Sequence, residues 1–581
     1  MTLVLGLHTG HEASAVLFED GRMLAAISNE RLTRIKNDGG RLSDEAIDEV
    51  LRLAGKTRQD IDRLALLYTF FPEEYFRRET WTKEVERRLV RYRRRAKGER
   101  PQMLLSGFLD RLRSRGKNFD DHFMDSKFLL EERFTGASAR FFDHHESHAL
   151  GAAYYSGFSR CAVITIDGNG DENISHTSGI WADGAYTRAY LTNELGASPG
   201  HFYSHITKLL GFQPLRHEGK VVGLAAMGNP HLLTRRFEVA LSVAGGGRTF
   251  TSAYVGKADP EAARYEYLRS TILGAKREDV AAAAQQVLED VVVELVQRFL
   301  DETGERCVAL NGGVFANVKL NQRIASLAQV DSVFVFPAMS DTGNAIGAAL
   351  LDLAAVDRSA VARGSRLNDV YWGPEFSDEE IGSCLASAGV HATRMTETDL
   401  VTNAAQAIHD GKILGWFQGR MEFGPRALGN RSMLARPTEA RINDWLNARL
   451  DRSEFMPFAP SVLAEHADSV FEGVEKARHT AEFMTVTFNV RPDWRDRIPA
   501  VVHVDGTARP QIVRVEVNPI YHRLIAQYAQ LSGIPLVLNT SFNVHEEPIV
   551  CAPQEAVRAL VDRRVDCLGI GSWWADAQVA V

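Results

Sequence analysis

The sequence predicts a two-domain α/β protein, and three observations carry that expectation. The chain has 581 residues, room for roughly three to four units of ordinary domain size. Short apolar runs bounded by Gly-rich turns alternate with longer helical patterns, as in sheets covered by helices. A polar stretch at 356–368, from Val356-Asp357-Arg358-Ser359 to Gly364-Ser365-Arg366, reads as a linker between an N-terminal domain, 1–355, and a C-terminal domain, 369–581.

Composition excludes several classes. With 45% hydrophobic and 24% charged residues, the chain can bury large cores. A net charge of −8 gives no overall field toward nucleic acid or anionic membranes. The cysteines at 161, 307, 384, 551 and 567 are scattered with no C-x-x-C pair. That pattern fits a reducing cytoplasm and argues against a disulfide framework or a zinc ribbon. The opening Met1-Thr2-Leu3-Val4-Leu5-Gly6-Leu7-His8 reads as the start of a strand, not as a signal peptide. No apolar run is long enough to span a bilayer.

Taken in order, residues 2–30 read strand, turn, strand, strand. Leu3–Leu7 leads into the polar turn His8-Thr9-Gly10-His11-Glu12. Ala13–Phe18 and Met23–Ser28 follow, with Glu19-Asp20-Gly21-Arg22 between them. Hairpin-linked strands with a polar, Gly-containing first turn are the entry to an actin-like or sugar-kinase-like ATPase half, where that turn faces nucleotide phosphates. Residues 70–130 differ. Arg87, Arg88, Arg91, Arg93, Arg94 and Arg95 are interleaved with Trp81, Val85, Leu89 and Tyr92 at helical spacing. This is an amphipathic helix with a solvated basic face, or a lid for an anionic or bulky acceptor.

The segment Phe142-Asp143-His144-His145-Glu146-Ser147-His148-Ala149 follows. His144 and His148 sit at i and i+4, on one helix face and close enough to share a metal ion. Alone, that spacing has little specificity. The apolar run Ala162–Ile166 then delivers Asp167 into the turn Gly168-Asn169-Gly170-Asp171. Two imidazoles and a strand-end carboxylate suit iron, manganese or zinc. Residues 160–355 repeat the ATPase-half logic. They contain a long helix at 278–303, a strand and glycine turn at Cys307–Asn317, a strand at Val333–Phe336, and Asp341-Thr342-Gly343-Asn344 opening a helix, which is either an anion site or a run of small residues for close helix packing.

In the C-terminal domain the strand Ile413–Phe417 runs into Gly419–Ser432, where Arg420, Arg426 and Arg431 are interleaved with Gly, Asn and Ser. Guanidinium forks fit phosphate oxygens bidentately. His503–Gln511 and Val537–Asn543 add two further groups of oxyanion donors. Each is explicable as turn chemistry, but three within about 200 residues are hard to explain as turns alone.

These strings make the chain resemble the O-carbamoyltransferases of natural-product biosynthesis, with the nodulation-factor, cephem and tobramycin-type enzymes among them. The carriers are His11-Glu12-Ala13-Ser14-Ala15, His144–Ala149, Glu218-Gly219-Lys220-Val221-Val222-Gly223-Leu224-Ala225, Gly424-Pro425-Arg426-Ala427-Leu428-Gly429-Asn430-Arg431-Ser432, Pro457-Phe458-Ala459-Pro460 and Asn539-Thr540-Ser541-Phe542-Asn543. The resemblance spans nearly the whole length apart from about 70–130. It implies an actin-like N-terminal domain of two ribonuclease-H-like halves, where a carbamoyl group passes to an acceptor hydroxyl. It also implies a YrdC-like C-terminal α/β domain that makes carbamoyl-adenylate from ATP and carbamoyl phosphate. The implied metal, iron(II), would be held by His144, His148, Asp167 and Asp341, and Mg(II) would accompany ATP. Nucleotide or carbamoyl-adenylate binding is implied for Gly168, Asn169, Lys220, Gly313 and Asn317. Carbamoyl phosphate and ATP binding is implied for Arg426, Arg431, Arg452, Arg509, Asn539, Thr540, Ser541 and Asn543. One departure stands out. Many relatives carry a Lys and, six residues on, an Arg where this chain has Leu450 and Met456, so those cationic roles are not carried over.

The expected chemistry follows. An alcohol must lose its proton as it attacks the carbamoyl carbon, and His11 in the first turn is the best general-base candidate. The N–H groups of the Asp167-Gly168-Asn169 turn can stabilise the developing oxyanion. Two other readings compete. One is an actin-like ATPase that has lost transferase chemistry, supported by Leu450 and Met456. The other is a tRNA-modifying threonylcarbamoyl-type transferase, which the negative net charge opposes and the Arg-rich helix favours. The expected partners are carbamoyl phosphate, ATP and a hydroxylated small molecule, with no nucleic acid and no membrane. The sequence leaves the acceptor open among aminoglycosides, polyketides, cephems and glycolipids.

Overall fold

The computed structural model describes residues 2–69, 133–362, 364–450 and 457–577. The Arg-rich stretch at about 70–130, Arg452 and Met456 lie outside the described residues. The helices used below are α1 Asp44–Ala54, α2 His144–Ser156, α3 Pro199–Leu209, α4 Glu218–Ala225, α5 Pro260–Thr271, α6 Arg277–Thr303, α7 Asn344–Val356, α8 Glu397–His409 and α9 Pro519–Ser532.

Strands β1 Leu3–His8, β2 Ser14–Glu19 and β3 Arg22–Ser28 form an antiparallel meander. The strands β4 Arg63–Leu67 and β5 Ser138–Phe142 extend it in parallel on the other side of β1, giving the order β3-β2-β1-β4-β5. Strand β1 is buried along its whole length because both faces are covered. Side chains alternate across a strand. Leu3, Leu5 and Leu7 therefore join the core with Ala46, Ile47 and Val50 of α1, while Val4 joins Ala345, Ile346 and Ala349 of α7.

A second sheet repeats this plan. Strands β6 Arg160–Ile166, β7 His176–Ala182 and β8 Ala185–Thr192 form the meander, and β9 Cys307–Asn311 and β10 Ser332–Val335 add in parallel, in the order β10-β9-β6-β7-β8. The N-terminal part thus consists of two ribonuclease-H-like halves, the actin-like architecture. The equivalent first hairpin turns, 9–13 and 167–175, both lie at the site described below.

The C-terminal part is built on one eight-stranded mixed sheet. Its strands are β11 Thr393–Arg394, β12 Leu414–Phe417, β13 Arg431–Ala435, β14 Ala459–Leu463, β15 Gln511–Val513, β16 Leu536–Ser541, β17 Cys567–Ile570 and β18 Trp573–Asp576, in the order β11-β18-β17-β12-β13-β16-β14-β15. Helices α8 and α9 pack against each other and bury apolar faces on this sheet. Antiparallel pairing sets Ser432 of β13 opposite Ser541 of β16. The loop before β13 and the loop after β16 consequently open at the same end of the sheet.

The two parts are tied by backbone. Trp372 O accepts from Ala26 N–H of β3. Arg31 Nη2 donates to Gly424 O at 2.9 Å, and Arg34 donates to the carbonyls of Pro548 and Ile549 at 2.6 and 2.7 Å.

Candidate active site

Helix α2 begins where it does because its first N–H groups are satisfied by carboxylates. Asp143 accepts from Glu146 N–H at 2.8 Å, and Asp171 accepts from His144 N–H at 2.9 Å. Helical spacing then points His144 and His148 the same way, both fully buried. His145 turns to the sheet, where its ring nitrogens reach Thr165 Oγ1 at 2.7 Å and Ile174 O at 2.8 Å, and burial keeps it neutral. Asp167 leaves the end of β6 and Asp341 precedes α7. His148 Nε2 lies 3.1 Å from Asp167 Oδ2 and 3.5 Å from Asp341 Oδ1, and His144 Nε2 lies 3.6 and 3.4 Å from the same oxygens. The four ligand-type atoms all fall within 4.8 Å of one another.

Close backbone contacts set this spacing. A Cβ on Gly347 of α7 would lie 1.9 Å from Ser147 O of α2, so the helix bearing both histidines and the helix that follows Asp341 meet at a glycine. A Cβ on Gly170 would lie 2.8 Å from the His144 ring, and one on Gly313 would lie 3.1 Å from Asp167 Oδ1.

The residues fit a divalent metal. His144 Nε2 and Asp341 Oδ1 are buried with no hydrogen-bond partner, an arrangement costly unless a cation completes it. Two imidazole nitrogens and two carboxylate oxygens form a donor set for a borderline ion. The charge balance agrees. Burial would lower the His144 pKa, but Asp341 and then Asp167 outweigh it and push it up to about 9. Burial likewise opposes the charged form of Asp341, yet His144 holds this carboxyl below its ordinary value. Two carboxylates, Asp341 buried and Asp167 half-buried, demand positive charge, which a metal supplies with neutral imidazoles.

His11 stands beside this cluster, its Nδ1 3.7 Å from Asp341 Oδ2 and its side chain 35% exposed, so a solute can reach it. Sequence reasoning missed three neighbours. His8, ending β1, is buried with Nε2 3.8 Å from Asp341 Oδ2 and 3.0 Å from His11 O. Burial brings its pKa down to about 4, Asp341 opposing. Glu12 adopts φ 61° and its Oε2 lies 3.3 Å from Thr342 Oγ1. Asn344 Nδ2 lies 3.0 Å from His148 Nε2. The available signals were a polar residue closing an apolar strand and an Asn three residues after Asp341.

A second feature is a cavity of about 310 Å³ between the two parts. Arg426, Arg509, Asn539, Thr540, Ser541 and Asn543 line it from the C-terminal side, and Lys36 and Lys220 from the N-terminal side. Lys36 was not anticipated. Its Nζ is 3.4 Å from Glu30 Oε1. The loop carrying Arg426 is shaped from within. The Glu422 carboxylate accepts from the N–H groups of Leu428, Asn430 and Arg431 at 2.7, 2.8 and 3.2 Å. Gly429 has φ 103° and lies so close to the Tyr521 ring that a Cβ would sit 2.3 Å from it. Asn539 Nδ2 holds the loop by donating to Ala427 O at 3.2 Å.

Two expected binding residues, Arg431 and Asn317, lie elsewhere. Arg431 is fully buried behind the loop, where its guanidinium donates to the carbonyls of Gln418, Gly419, Asn430 and Pro374 and stacks 3.6 Å over the Phe417 ring. It does not line the cavity, because both terminal nitrogens of its guanidinium are taken up by carbonyls of the turn and its surroundings. Asn317 caps the helix Val318–Ala325 by accepting from Leu320 N–H, and its amide exchanges hydrogen bonds with Gln285 at 2.9 and 3.0 Å. Leu450 is buried in the core. Gly168 N–H donates to its neighbour Asp167 Oδ1 at 2.7 Å, and Gly313 faces the same carboxylate. A single 3₁₀ turn, Gly313–Ala316, leads from there to Ala316 on the cavity wall.

Comparisons with known proteins follow the same division. The carbamoyltransferase N-terminus family model matches residues 3–350, and the carbamoyltransferase C-terminus model matches residues 405–576. The nodulation protein NolNO of Sinorhizobium fredii is 35% identical over 569 residues, 97% of this chain and 78% of that protein. The nodulation protein NolO of Bradyrhizobium diazoefficiens is 36% identical over 442 residues, 74% of this chain and 78% of that protein. The crystal structure of full-length HypF in its phosphate- and nucleotide-bound form aligns with 62% of this chain and 56% of that one at 13% identity and a TM-score of 0.33, too weak a likeness to argue from. Among the described residues, no helix is long and apolar enough to cross a membrane. With both halves matched over nearly their full extent, the chain belongs to the carbamoyltransferase family and is a carbamoyltransferase.

Proposed function

We propose that this enzyme is an ATP-dependent O-carbamoyltransferase with two sites. In the interdomain cavity, ATP, carbamoyl phosphate and water give carbamoyl-adenylate, with pyrophosphate and phosphate released. Arg426, Arg509, Thr540 and Ser541 bind the phosphate groups, and Mg(II) accompanies ATP. At the His144, His148, Asp167, Asp341 cluster the carbamoyl group passes to a hydroxyl of a natural-product acceptor. The observation that carries this reading is the cavity itself. It is lined by cations from both domains and joined to the cluster by one short turn.

In the transfer step the acceptor oxygen attacks the carbamoyl carbon, the bond from that carbon to the AMP phosphate oxygen breaks, and the hydroxyl proton passes to the His11 imidazole. Asp341 orients that ring. Asn344 and the turns at Gly170 and Gly313 hold the ligating side chains in register. A bound divalent ion, iron(II) by the family resemblance, supplies Lewis-acid polarisation of a carbamoyl or phosphoryl oxygen.

The test is incubation with ATP, carbamoyl phosphate and a panel of hydroxylated natural products, followed by mass spectrometry for a gain of one carbamoyl group. His11→Asn keeps a polar side chain but cannot take up a proton. It should accumulate carbamoyl-adenylate while acceptor carbamoylation falls by roughly two to four orders of magnitude. Arg509→Ala should fail to form the adenylate, yet transfer should return when synthetic carbamoyl-adenylate is supplied. Loss of both steps in both variants would overturn the two-site reading.

A further inference from the structure

One imidazole at the centre is used by none of these steps. His201, in the first turn of α3, packs directly over the Asp167–Gly170 turn. A Cβ on Gly168 would lie 3.3 Å from both its Nε2 and its Cδ2. The opposite side of the ring faces a carboxylate, with Nδ1 3.5 Å from Glu261 Oε1. Glu261 is itself fixed. It accepts from Gly196 N–H at 2.8 Å and from Arg264 Nη2 at 2.6 Å, and the fully buried Arg264 also donates to Gly196 O and Ser198 O. Ser198 locks α3 to the same turn. Its Oγ accepts from His201 N–H at 3.1 Å and donates to Gly168 O at 2.6 Å. The ring is 32% exposed, so a ligand on the turn can touch it.

A carboxylate-oriented imidazole whose other edge overlooks a Gly-rich turn is a built arrangement. The carboxylate lies beside Nδ1, so Nε2 is the ring nitrogen that faces the turn. We infer that His201, positioned by Glu261, hydrogen-bonds through Nε2 to the phosphoryl group of the nucleotide on the 168–170 turn. The bond would strengthen as AMP leaves and its phosphate oxygen gains charge. No covalent bond to His201 forms. This rests on the reading that the nucleotide occupies this turn during transfer.

The experiment uses the full-length, metal-loaded enzyme with the cavity disabled by Arg426→Ala and Arg509→Ala, titrated with AMP by calorimetry. The expected result is one AMP site, weakened about tenfold or more by adding His201→Ala, the loss of one charge-assisted hydrogen bond. His201→Gln should recover part of the affinity, and Glu261→Gln should weaken binding less than His201→Ala. Metal content should stay constant throughout. Equal AMP affinity with and without His201 overturns the inference. So does loss of metal in His201→Ala, which would make His201 a prop for Asp167. Absence of AMP binding before His201 is changed overturns the underlying two-site reading instead.

Discussion

The His–Asp cluster and the interdomain cavity are built in opposite ways. In the cluster the functional atoms sit on regular elements: a helix face, a strand end and the start of a second helix. They are buried, and their spacing is set by backbone contacts. In the cavity they sit on loops opening at one end of a sheet, and a buried polar network around Glu422 and Asn539 holds those loops. Geometry in the first comes from helix packing, and in the second from hydrogen bonds to loop backbone. The two should therefore fail differently when altered.

The largest effect is expected at the cluster. Asp167→Ala removes a ligand and leaves two buried imidazoles facing one carboxylate. Bound metal should fall by more than about a hundredfold, beyond what losing a supporting residue costs, and acceptor carbamoylation should be lost with it. Metal analysis alongside circular dichroism checks this. A folded variant with full metal occupancy would remove Asp167 from the ligand set.

The next contrast lies within one loop. Arg426→Ala should leave thermal stability nearly unchanged and lower carbamoyl-adenylate formation by about 10²–10³-fold, by analogy with oxyanion donors. Arg431→Met should do the reverse first. It strips donors from the carbonyls of the buried residues Gln418, Asn430 and Pro374, each costing about 1–3 kcal/mol when unsatisfied, so the melting temperature should drop sharply. If Arg431→Met melts like the parent protein, the buried guanidinium is not what holds the turn.

That pair also marks where the sequence stops being legible. Arg426 and Arg431 are five residues apart among similar neighbours. Whether an Arg faces the cavity or the core depends on how the chain turns at Gly429, and that turn is set by Tyr521, some ninety residues away. His144, His148 and Asp167 were readable because helix and strand periodicities are local. Asp341 came only through the family resemblance. The duplicated meanders were readable at their first hairpins, whereas the parallel strands β4 and β5, short and partly polar, carried no comparable signal. Asn317 looked like a ligand for the same reason that it is a good helix cap: a short amide side chain serves both uses.

The smallest effect should come from the supporting shell. Asn344→Ala leaves all four ligand-type residues in place but removes the amide beside His148. Metal affinity should weaken by about ten- to a hundredfold with little change in folding, measured by competition with a chelator. A larger loss than Asp167→Ala would reverse the ranking of ligand and support.

The contact between Gly347 and Ser147 O acts as a mechanical stop. It fixes how closely the helix bearing the histidines can approach the helix that follows Asp341, whatever side chains surround them. Even a methyl group at position 347 would move that stop outward by more than an ångström, since ordinary contact begins near 3.4 Å. The spacing between the two histidines and Asp341 is therefore calibrated by a residue with no side chain, which no inventory of polar groups would name.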